Sequence, residues 1–371
     1  MSANIPLIQS ERKLDGLHGL RAVAALAVVL FHLESRQDLP QAAWLSAVTV
    51  NFYLSVHLFF VISAFSLFHS SRYAPARYPA YLVKRFFRIA PLYYVMIPFV
   101  LWRMAFPGWG ALVSNLTFTF NLFPQYELGM VWAGWSVGVE MIFYLVLPLL
   151  LLLFRRPLAF AALYAAAAIV STLIWRLTIG APGLHEDFAY YSIACNLPTF
   201  AAGLLFYSVF KRLDAAPRRA WANGVFAVLA CVLLWLAWLD PLDLHSRATG
   251  LYFAFWGMPF GALCLWQSLY PSPLMRWRAM QWLADRSFSL YLLHPVVIEV
   301  LRHGYLFLRR HGLPDDGWLY VACAIGGFVA LLVSAQITYR FVELPGIAAG
   351  RRIAARIDAP RGNFAAKVPV P

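Results

Sequence analysis

Any chemistry this chain performs has to be arranged around a histidine inside an apolar helix. His32 ends the run Gly19-Leu20-Arg21-Ala22-Val23-Ala24-Ala25-Leu26-Ala27-Val28-Val29-Leu30-Phe31-His32, eleven residues after Arg21. That spacing is about three helical turns, so both side chains share one helix face, about 16 Å apart along the axis. An imidazole, with an unperturbed pKa near 6.5, can take and return a proton, whereas a guanidinium stays charged and grips anions. An ionisable group that deep in a membrane span is a functional candidate by default. The bland reading, a ring that snorkels or hydrogen-bonds a neighbouring helix, is equally compatible with His32 taken alone.

Other ionisable residues gather at a few further places. Arg85 and Arg88, in Arg85-Phe86-Phe87-Arg88, are i, i+3 neighbours, and paired guanidiniums suit phosphate oxygens, although a basic loop also serves topology and lipid contact. Glu140 follows Ser136 by one turn in Trp135-Ser136-Val137-Gly138-Val139-Glu140, and a carboxylate there must be paired, protonated or facing a wet cavity. Ser287 and His294 stand two turns apart around Tyr291 in Ser287-Phe288-Ser289-Leu290-Tyr291-Leu292-Leu293-His294-Pro295. His57 is a third histidine in an apolar run. No two of the three form a local ligand pair, so the expectation is no metal. Glu343 reads as a cap or ion pair at the end of the bundle.

The elements that must position these residues are membrane helices. Apolar residues make up 61% of the 371 and charged residues 13%, with a mean hydropathy of +0.66, whereas soluble domains run near 45 to 50% and 25%. The expectation is an all-α polytopic membrane protein. Ten spans can be drawn, over 17–34, 49–68, 89–106, 134–154, 157–176, 190–210, 221–239, 248–269, 287–307 and 318–338. They leave no room for a sizeable soluble domain and no removable signal peptide. With both termini in the cytoplasm, most of the 30 basic residues fall on that side, including Arg12, Lys13, Arg77, Arg85, Arg88, Arg351, Arg352 and Arg356. The net charge of +13 is then a topology signal that also suits an anionic membrane surface, and it does not point to nucleic acid. Four cysteines, each within an expected span, suggest neither disulfides nor zinc. The membrane domain is expected over 1–345, with 346–371 a disordered cytoplasmic tail.

Gly-Leu-Arg with a His eleven later, Phe59-Phe60-Val61-Ile62-Ser63-Ala64-Phe65, Arg-x-x-Arg-Ile-x-Pro, Trp-Ser-x-x-x-Glu, Ser-x-Ser-Leu-Tyr-Leu-x-His and a terminal Val-Glu-x-Pro occur here in a fixed order. The ordered set resembles the bacterial acyltransferase-3 family of integral-membrane O-acyltransferases, from about Leu14 to Pro345. That resemblance implies transfer of an acyl group, most often acetyl, from acyl-CoA to a hydroxyl of a lipopolysaccharide, exopolysaccharide, peptidoglycan or other glycan. A lipid-linked saccharide is a further acceptor it allows, and the bacterial inner membrane is the expected location. It also implies that His32 is the essential histidine, that Arg21, Arg85 and Arg88 serve the acyl-CoA donor, and that Glu140 and His294 occupy motif positions. The chain departs from the family at His18, which precedes Gly19 where Asp is usual, and at Ala64, His57 and Met141.

Acyl transfer needs a base for the hydroxyl proton, a donor for the thioester oxyanion and a grip on the acyl carrier. The residues permit His32 as general base, Glu140 orienting or repolarising it and the arginines holding phosphate, with an acyl-His32 intermediate as the mechanistic alternative. Ser63, Ser287, Tyr291 and His294 are candidate oxyanion donors. A proton-coupled secondary transporter is the rival class, since ten spans with buried His, Glu and Arg also describe such carriers. A flippase or scaffold subunit of a polysaccharide assembly complex is a third.

Overall fold

A computed structural model describes residues 14–35, 39–40, 49, 51–70, 78–103, 105–153, 156–179, 181, 188–214, 220–239, 251–313 and 317–358, without the side chains of 220 and 236–239. Among these residues the regular structure is entirely helical. The helices of eight residues or more are α1 (Asp15–Glu34), α2 (Ser55–Ser70), α3 (Tyr78–Arg103), α4 (Trp109–Leu116), α5 (Trp135–Leu153), α6 (Pro157–Thr178) and α7 (Ile193–Leu213). They continue as α8 (Ala220–Leu239), α9 (Tyr252–Leu269), α10 (Arg278–Asp285), α11 (Ser287–Arg310), α12 (Trp318–Thr338) and α13 (Leu344–Asp358).

Local sequence sets several of the boundaries. Pro157 opens α6, where its missing N–H costs nothing, and the Ser192 hydroxyl caps α7 by accepting from the Cys195 amide at 3.2 Å. Each expected span overlaps a helix among the described residues. By length and composition, six helical segments among the described residues suffice to cross a membrane: 15–34, 52–70, 135–153, 157–178, 193–213 and one continuous helix over 318–358. The last has 41 residues, about 60 Å at 1.5 Å per residue, twice a bilayer's hydrocarbon core, so α13 extends well past one span.

The sequence reading needs two corrections. The connection holding Arg85 and Arg88 is not a loop up to residue 88, because α3 begins at Tyr78 and carries both arginines within it. The tail expected to be disordered from residue 346 is helical as far as Asp358; residues 359–371 lie outside the described residues, as do Arg12, Lys13 and Arg77.

Close backbone approach seats the two helices that matter most. α1 packs on α2, α9, α10 and α11, and a Cβ on Gly19 would come 2.5 Å from the Met275 carbonyl oxygen. Its Ala22, Ala24, Ala25 and Val28 are fully buried, so the helix that bears Arg21 and His32 is central. α13 packs along α3 through Gly346, Gly350 and Ala354, a stripe of small residues with four-residue spacing. A Cβ on Gly346 would meet Pro91 and the Phe87 carbonyl oxygen at 2.7 and 2.8 Å, so only glycine lets α13 lie this close to the turn bearing Arg88. At the other extreme, α8 and α12 turn Trp221, Val228, Trp318, Ile325 and Val333 outward, as lipid-facing helices do.

Candidate active site

One cavity gathers most of the residues that sequence spacing singled out. Its lining includes Arg21 from α1, Ser63 from α2, Arg85 and Arg88 from α3, Ser136, Glu140 and Tyr144 from α5, and Ser287 and Tyr291 from α11. Phe59, Phe60, Ile89 and Phe288 supply apolar wall. Five helices thus converge on one space because each turns a polar position inward.

Cationic groups dominate the mouth. Three guanidiniums face a single carboxylate, Glu140, a balance that attracts a polyanion. Arg21 is steadied by donating from Nη2 to the Ser66 hydroxyl at 3.2 Å, and the Arg85 guanidinium lies 5.7 Å over the Tyr81 ring. The Arg85 Nε is buried and has no hydrogen-bond partner in the structure, so this donor has capacity left for an anionic oxygen.

Glu140 does not orient His32 as the sequence suggested. Its Oε1 accepts hydrogen bonds from both the Ser63 and Tyr144 hydroxyls, and those two hydroxyls are 3.2 Å apart. Tyr144 was missed as a site residue although its signal was present: it stands four residues after Glu140, one turn along the same face. Deeper in, the Tyr291 hydroxyl donates to the Ala133 carbonyl at 3.0 Å and lies 2.7 Å from the Ser136 hydroxyl.

His32 and His294 do not line that cavity, but they extend the polar track beyond it. The Tyr291 and His294 ring centroids are 5.7 Å apart, and those of His294 and His32 are 4.9 Å apart. Local backbone chemistry fixes the orientation of His294. Pro295 has no N–H, which leaves the Tyr291 carbonyl, four residues earlier, without its helical amide. The His294 Nδ1 fills that vacancy by donating to it at 2.5 Å. His32 Nδ1 likewise donates to the Val28 carbonyl at 3.0 Å. A carbonyl only accepts, so both rings carry a proton on Nδ1, and Nε2 is the nitrogen at which either could exchange one.

The remaining candidates lie apart from the track. His57 is fully buried in an aromatic box of Phe60, Tyr190, Tyr252 and Phe253. His18 pairs with Asp285 at 2.9 Å, joining the start of α1 to the end of α10. Glu343, in a π-helical turn over Tyr339–Glu343, is buried and accepts from Ser289, to which Thr338 donates at 2.9 Å. The charges of Arg88 and Arg286 act on it, while its Oε2 is buried with no hydrogen-bond partner in the structure.

The chain is 25% identical over 370 residues to the peptidoglycan O-acetyltransferase OatA of Listeria monocytogenes, covering 91% of this chain and 56% of that protein. It is 24% identical over 389 residues to the O-acetyltransferase OatA of Staphylococcus aureus, covering 97% of this chain and 61% of the relative. It therefore spans less than two thirds of the length of these relatives. No solved structure gives a significant match. The acyltransferase-domain profile of the acyltransferase-3 family matches residues 14–340, which takes in every residue of the cavity and of the histidine pair, and the chain belongs to that family.

Proposed function

We propose that this chain is a multi-pass membrane O-acetyltransferase that holds acetyl-CoA at the three-arginine cavity and delivers the acetyl group to a glycan hydroxyl at the histidine end. The observation that carries the proposal is the joining of Arg21, Arg85 and Arg88, through Ser136 and Tyr291, to His294 and His32 in one polar track. The buried, unpartnered Arg85 Nε fits a phosphate oxygen, and guanidiniums bind such oxygens by paired hydrogen bonds.

Acetyl-CoA, when bound, supplies an activated acyl carbon. The arginines hold its phosphates at the mouth. Arg21 and His32 are about 16 Å apart along α1, a span that an extended pantetheine arm can bridge. His32, with Nδ1–H fixed on Val28, presents Nε2 to take the proton of the attacking hydroxyl. The Ser63, Ser287 and Tyr291 hydroxyls and the ring of His294 are the groups available to the developing oxyanion. Glu140, with Ser63 and Tyr144, supplies the one negative charge that offsets the arginine cluster.

The names of the relatives favour a peptidoglycan-type acceptor over lipopolysaccharide or exopolysaccharide. Ten spans in a bacterial inner membrane, with both termini cytoplasmic, are part of the same reading. It is supported by the overlap of each expected span with a helix and by the exposed Arg351, Arg352 and Arg356 of α13 beside α3. No observation favours a transporter or a flippase.

The test is detergent-purified protein with acetyl-CoA and chitotetraose, scored by thiol release and by mass spectrometry of the sugar. Acetylated chitotetraose, or slow acetyl-CoA hydrolysis in its absence, is the expected result. Failure to bind and to turn over acetyl-CoA overturns the reading. Orientation is checked with Arg351→Cys, which a membrane-impermeant maleimide should label in inverted vesicles and not in intact cells.

A further inference from the structure

Glu343 is an acid that acyl transfer leaves unused. It is 1% exposed, and its Oε1 accepts from the Ser289 hydroxyl, which in turn accepts from Thr338. Its Oε2 is buried with no hydrogen-bond partner in the structure. A buried carboxylate oxygen without a hydrogen bond is costly unless a nearby cation offsets it. The π-helical turn over Tyr339–Glu343 packs on α3, and Gly346, three residues on, would set a Cβ 2.8 Å from the Phe87 carbonyl oxygen. Glu343 is thereby held beside the turn of α3 that carries Arg88.

Two guanidiniums act on this carboxyl, and they differ in what else they hold. Arg286 donates from Nε to Gln336 and from Nη1 to the Trp282 carbonyl at 2.8 Å, and it lies 4.0 and 4.7 Å from the ring centroids of Trp282 and Tyr339. Arg88 lines the arginine cavity and has no hydrogen-bond or ion-pair partner among the described residues. A phosphate entering the cavity therefore competes with Glu343 for Arg88 and leaves Arg286 where it is. The other titratable groups nearby are committed or exposed. Asp285, at the end of α10, pairs with His18, and Tyr339 packs on Arg286. On α3, Lys84 is exposed and Arg85 is set over Tyr81; on the π turn and α13, Arg340, Arg351 and Arg352 are exposed. Across the cavity, Glu140 is taken by Ser63 and Tyr144, and the end of α12 offers Gln336 and Thr338, which do not titrate.

We propose that Glu343 is the counter-charge of Arg88 and takes up a proton when an anionic donor claims that arginine. This rests on the reading of the three-arginine cavity as the site for donor phosphate. Before binding, Arg88 helps to keep the buried carboxyl ionised. Phosphate oxygens then neutralise the guanidinium, burial favours the uncharged acid, and an O–H bond forms at Glu343 with a proton drawn from solvent. Linkage sets the sign: a site that gains a proton on binding binds more tightly as pH falls, by at most about tenfold per unit for one proton. Glu343 acts through Arg88, as a positioning residue.

The experiment is calorimetric titration of the full chain in detergent with coenzyme A, which carries the donor's phosphates and has no acyl group to transfer. Runs at about pH 6, 7 and 8 in buffers of different ionisation enthalpy give the protons taken up at each pH. The ligand's own phosphate, with a second pKa of about 6, contributes equally in every variant. Wild type should take up more protons than Glu343→Gln, by about half a proton or more at one of these pH values. Glu343→Gln, neutral throughout, should bind coenzyme A at least as tightly as wild type at the highest pH and gain less affinity on acidification. Equal proton uptake by wild type and a folded Glu343→Gln overturns the inference. Where the Gln variant is not monodisperse, Ser289→Ala serves: loss of the hydroxyl that favours the charged carboxylate should move the uptake to higher pH, and unmoved uptake overturns the inference equally. A wild-type protein that binds no coenzyme A at any pH overturns instead the reading of the arginine cavity, and this inference falls with it.

Discussion

At the mouth of the cavity, Arg21, Arg85 and Arg88 are brought together by two different helices, and no local hydrogen bond among them fixes their aim. At the other end of the track, His32 and His294 are each oriented by a carbonyl one turn earlier on their own helix. The mouth depends on how α3 docks, which in turn depends on α13 behind it. The histidine end needs tertiary structure only to bring two already oriented rings together. The contrast suits the two tasks: gripping a flexible polyanion tolerates adjustment, whereas proton transfer demands a settled tautomer.

If the contrast holds, substitutions at the two ends should separate chemistry from binding. The largest effect is expected at His32→Ala: turnover should fall by about 10²- to 10⁴-fold while the apparent KM for acetyl-CoA and the size-exclusion profile stay close to wild type. Retention of a tenth of the activity would remove the proton-transfer role from that end of the track.

Arg85→Lys and Arg88→Lys preserve charge, and therefore topology, but lose the planar fork. Each should raise the apparent KM for acetyl-CoA by about tenfold, the value of one charge-assisted hydrogen bond, with kcat little changed. Wild-type KM in both variants would reduce the mouth to a membrane anchor.

A smaller effect of the same kind is expected at a distance from the cavity. In Gly346→Leu the new side chain must displace Pro91 or the Phe87 backbone, which moves the α3 turn carrying Arg88. Overpacking of this sort costs about 1 to 3 kcal/mol. It should appear as a lower melting temperature together with a several-fold higher acetyl-CoA KM. A drop in melting temperature alone would show that α13 supports the fold without aiming the arginines.

The smallest effect belongs to His57→Phe. The ring lies in an aromatic box outside the cavity, so activity should stay within about twofold of wild type, as for a near-isosteric core exchange. A large loss of turnover would mean that the polar track has a branch through α2.

Much of this was legible in the residues themselves, for identifiable reasons. Apolar runs of bilayer length mark the helices because the hydrocarbon core admits little else. Helical periodicity put Arg21 with His32, and Ser287 with His294, on common faces. The His294-Pro295 pair even determines a tautomer, since the proline vacates the carbonyl that the imidazole fills. What periodicity does not carry is which face of one helix meets which face of another. That Glu140 takes Ser63 and Tyr144 rather than His32, and that His294 is the ring beside His32, depends on helix crossings. Those crossings are set by small residues and side-chain packing summed over the whole bundle. For the same reason the residues from 346 onward read as a disordered tail: what packs them is a stripe of Gly346, Gly350 and Ala354, which acquires meaning only against α3. The sequence alone determined the helices and the chemical groups on them, because those follow from local backbone and solvent physics. Only the tertiary structure decided which groups meet, because that is settled by packing between segments far apart in the chain.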